Sequence, residues 1–468
     1  MTLYLIDSIL AEREGFEPSI EFPLYTLSKR APSTTRPSLP IGKTLPAAPK
    51  IEDAEVSSQH IMPSPRPMVF RPRHTMEPVS ATPISRRALL AAALTTSCRR
   101  RKATGYRGYC FVANRDSRSV AVVDLTKFRV RSQIPLDAAP SLVLPHSTAG
   151  KVFVLAAEAG TVYEIDAGSL AVARRAHAGN RAADMQVSPS GDSLWVLYRD
   201  PPSLVEVPFL SLQPRRPIRL PFQPDAFDMA RAPQTGSEPG ALLAGVASRK
   251  DSALVLVSLS AGAILNQTAA GVEPSLLRFR SDGRQLIAGS ESARSLDIFE
   301  VPSLKPVVRL PLPMAPRHFC FKRDRGQLFV SGEGVDGVAI FYPFRTEVAE
   351  TMLAGRAPSA MQTTETPPLL MVANPETGSV TVLDFDNLGK KLVAVVQVGQ
   401  DPCDIQITPD QQYALVLNAK SGDMAVIRIL ALVDDSPSRR YKPTPLFTLI
   451  PVGERPVSAA VVPFSAFS

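Results

Sequence analysis

Residues 371 to 410 read MVANPETGSVTVLDFDNLGKKLVAVVQVGQDPCDIQITPD. A short apolar run, Met371–Asn374, opens the stretch. A polar turn follows, and then Ser379–Asp384, where apolar residues recur at period two as a half-buried pleated strand requires. A third, more polar strand over 391 to 398 leads into a loop that ends at Pro402. Proline fits there because its fixed φ suits the first residue of a strand. The fourth strand stops at Thr408-Pro409-Asp410, a sequence with the residues a tight turn needs.

The same unit recurs outward in both directions. Its opening strand returns at Phe111–Asn114, Phe153–Leu155, Trp195–Leu197, Leu243–Gly245, Leu286–Gly289, Phe329–Gly332 and Leu415–Asn418. The proline before the fourth strand returns as Pro140, Pro224, Pro274, Pro316, Pro358, Pro402 and Pro456, with Ala182 in the second slot, at spacings of 42 to 54 residues. Four strands at a period near 43 predict an all-β fold, a single β-propeller of four-stranded blades. The units predict eight blades, or seven if the divergent third unit, with its insertion over 201 to 239, forms no full blade. The first unit begins with what should be the second strand of a blade, and Val457–Val462 reads as an innermost strand. The C-terminal strand is therefore expected to join the first blade and close the ring, removing its exposed edge. The propeller should span 107 to 464.

The units resemble the YVTN family of bacterial and archaeal propellers. The resemblance rests on Phe111–Asn114 with Val120–Asp124, on Met371–Asn374 with Ser379–Asp384, and on the turn Ser188–Asp192. The family's tyrosine is Phe or Met here, and most units lack its asparagine. The resemblance implies an exported propeller, of a kind often found as a surface or periplasmic binding module.

The segment before the repeats has a different character. Residues 1 to 85 hold thirteen prolines and no sustained hydrophobic period, which predicts a disordered arm over 1 to 75. Residues 13 to 40 resemble the spurious translation of a transfer-RNA gene, so the expected start is Met62, Met68 or Met76. Residues 76 to 98 then read as an export signal. Ser85-Arg86-Arg87-Ala88-Leu89-Leu90 resembles the twin-arginine signal, with Arg86 and Arg87 as its pair. The small residues before Cys98 resemble a lipobox, which implies a lipid anchor on that cysteine. Residues 99 to 106, starting Arg99-Arg100-Arg101-Lys102, form a basic tether. The expected location is the periplasm or cell envelope, and the expected state a monomer. The longest apolar run, Ala88–Leu94, is shorter than the roughly 20 residues of a membrane-spanning helix.

The formal net charge of +8 sits mostly in these leading segments; residues 103 to 468 carry 37 basic against 35 acidic side chains. That balance argues against a nucleic-acid partner.

Chemistry is sparse. His146, His177 and His318 show no ligand spacing, and no haem-attachment motif appears, so neither a metal nor another cofactor is expected. Cys110, Cys320 and Cys403 allow at most one bridge, so no disulfide framework is expected. No Gly-x-Ser-x-Gly elbow, phosphate loop or His-Glu-x-x-His motif occurs. The loops before the inner strands should converge on one channel opening. They bring Asp184, Asp225, Arg317, His318, Arg356, Asp404 and Arg455 there as candidate ligand-binding residues, with Glu273, Asp401 and Glu454 nearby. Such a ring can take an anionic or metal-bound ligand, or it can be an ordinary solvated rim of salt bridges. Three functions are in view: a tethered binding or scaffold module for a protein or small molecule, a lactonase-type hydrolase, and a periplasmic redox accessory protein.

Overall fold

The computed structural model describes residues 105–146, 150–232, 240–386, 392–433 and 444–466. The expected disordered arm, the export signal with Arg86, Arg87 and Cys98, and nearly all of the basic tether lie outside these residues.

Eight antiparallel four-stranded sheets make up the fold. In the first, the order from outside to inside is Arg129–Pro135, Ser119–Asp124, Gly108–Asn114 and Pro456–Pro463. The C-terminal strand pairs antiparallel with Gly108–Asn114, Phe111 facing Ala460 and Val112 facing Ala459, so the ring closes as expected. The other seven blades are contiguous in sequence, each starting at its inner strand. These inner strands are Leu142–Pro145, Asn180–Val187, Ala226–Arg231, Pro274–Phe279, Ala315–Phe321, Met361–Thr363 and Pro402–Ile407. The divergent third unit does form a blade, which settles the count at eight. Its outer strand is cut to the two residues Ile218–Arg219, since the preceding run Gln213-Pro214-Arg215-Arg216-Pro217 has two prolines that cannot donate to a ladder.

The core is a set of eight inter-blade seams. Phe111, Val120 and Ile134 of the first blade pack with Val152, Val154 and Tyr163 of the second. The last seam joins Tyr413, Leu415 and Leu417 of the eighth blade to Cys110, Val112 and Ala121 of the first. Each sheet is covered on both faces, which is why its middle strands read as continuous apolar runs. Ala253–Ser258, for example, is buried at every position. Outer strands face solvent and alternate, as Arg129–Pro135 does. Among the described residues helix is confined to Leu430–Val433 and one turn at Phe464–Ala466. Among the described residues no helix is long and apolar enough to cross a membrane.

Candidate functional site

The inner strands leave one edge of backbone donors and acceptors facing the channel, and among the described residues no further strand pairs with it. Side chains meet part of this demand. Counting from the proline slot, the third residue of each inner strand packs toward the preceding blade, as Val143 does. The second and fourth lean toward the next blade, as Leu142 and Leu144 do. Polar residues at these two positions stitch neighbouring blades. Ser458 Oγ accepts from Val143 N at 3.1 Å, and Gln186 Nε2 donates to Phe227 O at 2.8 Å. Phe279 N donates to Asp228 at 2.7 Å, and Ala459 N donates to Asp404 at 3.1 Å.

The predicted site residues divide into two groups. Asp225, Arg317, Arg356 and Arg455 lie on the rim. Asp225 pairs with Arg199 at 3.1 Å, and Arg317 pairs with Glu333 at 2.6 Å and Glu291 at 3.7 Å. Arg455 stands 3.9 Å from Asp116, and Arg356 is exposed. These are half-exposed pairs of the kind that contribute little. Asp184, His318 and Asp404 lie deeper, in the channel wall at the second position after the slot.

Asp404, His318 and Arg278 border one cavity of about 620 Å3. Leu142, Leu144, Val457 and Ala460 form its apolar side. Burial pushes the Asp404 carboxyl up to about 6 against the pull of its hydrogen bonds with Gln406 and Ala459 N. Asp184 and Asp228 are also pushed up by burial, and the Arg278 guanidinium opposes the shift in both. Burial and the neighbouring Arg317 push His318 down, toward the neutral imidazole. Cys320 and Cys403 are free thiols pushed up to about 12 by burial, so neither is a thiolate nucleophile. Cys110 is also free and buried. Among the described residues no group of three or more His, Cys, Asp or Glu side chains could hold a metal ion.

A second cavity of about 650 Å3 opens at the opposite mouth, bordered by Asp228, Arg231, Arg280, Asp282 and Arg325. Arg280 is clamped by Asp282 at 2.9 and 2.8 Å. Arg325 lies 5.4 Å from the centre of the Phe321 ring.

Sequence reasoning missed Asp228, Arg278, Gln186 and Gln406, all at the fourth position after the slot. The signal was present: aligning the eight slots and reading two residues further along each strand finds them, since side chains on one face of a strand recur every second residue.

No family model matches this chain, and no curated protein matches it. Solved structures do share its fold. The dihydro-heme d1 dehydrogenase NirN in complex with DHE superposes with a TM-score of 0.59 at 15% identity, covering 77% of this chain and 76% of that one. The apo form of AztD from Citrobacter koseri gives 0.55 at 12% identity, covering 76% and 98%. At such identity the likeness extends to the propeller fold alone.

Proposed function

We propose that this chain is an exported binding propeller of YVTN type, tethered to the membrane through Cys98, that holds a small ligand in its central channel. The observation that carries the reading is the cavity between Arg278, His318 and Asp404 on one side and Leu142, Leu144 and Ala460 on the other. A concave space that joins an apolar wall to a few convergent polar groups is a usual form of ligand site. Hydrolysis is less well supported. Both Asp404 oxygens accept hydrogen bonds from Gln406, and one also accepts from Ala459 N, so the best-placed acid is engaged in the wall.

Mass spectrometry on protein isolated from its own membranes tests both parts. The expected result is an acylated N-terminal peptide starting at Cys98 and a co-purifying small molecule that Ala360→Trp, a bulky substitution at a residue that also borders this cavity, excludes. An unacylated chain starting near Thr2 would overturn the tether. A preparation without a small molecule, or one that Ala360→Trp retains equally, would overturn the channel reading.

A further inference from the structure

Among the described residues Arg278 is a channel cation with no ion-pair partner, although its charge is felt by Asp184 and Asp228. Its Nη1 donates to Leu277 O at 2.7 Å, on its own strand. Among the described residues no carboxylate comes within 4.0 Å of it. Guanidinium has five N–H donors in a fixed plane, so most of those on Arg278, which borders the cavity, have no hydrogen-bond partner among the described residues. The other ionisable groups of the region are accounted for. Asp404 is held by Gln406 and Ala459 N, Asp228 accepts from Phe279 N, and Asp184 accepts from Met185 N at 2.8 Å and from Gln186. His318, on the neighbouring inner strand, borders the same cavity with no hydrogen bond to the described residues.

From this geometry we infer that the channel binds an amphipathic monocarboxylate, its carboxylate on the Arg278 fork with His318 beside it and its apolar body against Leu142, Leu144 and Ala460. Arginine matches a planar carboxylate through two parallel N–H donors. A dianion such as a phosphate monoester fits worse, because Asp184, Asp228 and Asp404 line the same channel and one guanidinium offsets one charge. A cavity of about 620 Å3 also suits a body of drug-like size. The inference rests on the channel-binding reading and names the chemistry of its ligand.

Calorimetric titration of the full chain with benzoate, naphthoate and decanoate, each beside its primary amide and with naphthyl phosphate as the dianion, tests it. At least one carboxylate should bind about tenfold or more tighter than its amide, the scale of one charge-assisted bidentate contact. Naphthyl phosphate should bind more weakly than naphthoate. Arg278→Gln should bring carboxylate and amide level, and Arg278→Lys should restore part of the preference. Amides that match their carboxylates in the unmodified protein would overturn the monocarboxylate while leaving a channel ligand in place, and this comparison needs no variant to fold. A preference that survives Arg278→Gln would overturn the role of Arg278. Failure of every probe to bind would count against both readings.

Discussion

Asp404 shows how one side chain can serve the ring and oppose it. Its oxygen caps Ala459 N on the closing strand, yet burial pushes its carboxyl up to about 6. A carboxyl whose folded value exceeds its unfolded value of about 4 binds its proton more tightly in the folded state. Its contribution to stability is therefore full below pH 4 and is lost as pH rises to about 6. Asp404→Asn keeps an acceptor for Ala459 N and removes the charge. It should abolish this part of the pH dependence and stabilise the protein at pH 7 by up to about 3 kcal/mol. Urea unfolding of both proteins from pH 4 to pH 8 checks this; parallel curves would show that the Asp404 charge costs nothing. Asp184, Asp228 and His318 remain in both proteins, so their contributions cancel in the difference.

The turn into each inner strand is a further unit, and its logic was only half legible. Val398-Gly399-Gln400-Asp401-Pro402 and Val452-Gly453-Glu454-Arg455-Pro456 share a glycine three residues before the proline. That glycine meets the asparagine ending a first repeat strand. A Cβ on Gly399 would stand 2.4 Å from Asn418 Nδ2, and one on Gly453 would stand 2.7 Å from Asn114 Nδ2. Asn114 Nδ2 donates to Val452 O at 2.9 Å and Asn418 Nδ2 to Asp423 at 2.6 Å, while each leaves its Oδ1 buried without a donor. Gly399→Ala should cost about 1–3 kcal/mol through this overpacking, and adding Asn418→Ser should recover part of the loss. Melting curves of the single and double variants measure the coupling; strictly additive losses would refute the contact. The strand pattern was readable from residue types because it depends on local alternation. The glycine–asparagine contact and the fourth-position channel residues depend on which blade a side chain leans toward, and a single unit carries no trace of that. Arg278 was passed over because sequence reasoning stopped at the loops and the second position after the slot, where Asp184, His318 and Asp404 lie, two residues short of it.

At the scale of the whole molecule, eight seams form a circuit, and the last is complete only when Pro456–Pro463 lies beside Gly108–Asn114. Deleting residues 456 to 468 removes an inner strand, exposes a sheet edge and uncovers Cys110, Val112 and Phe111. Unfolding should then shift to much lower temperature in a single cooperative step, as calorimetry would show; unchanged melting would mean that the ring does not depend on its closure. Closure also bears on how fast the native state is reached. Asn114 and Val452, bonded across the final junction, lie 338 residues apart in the chain. Seven blades need only hairpins between neighbours and can form early, whereas this junction bears the loop-closure entropy of nearly the entire propeller. High contact order of this kind slows folding. The native ring should therefore appear after a lag in which the seven contiguous blades are built and the first blade waits for its C-terminal strand.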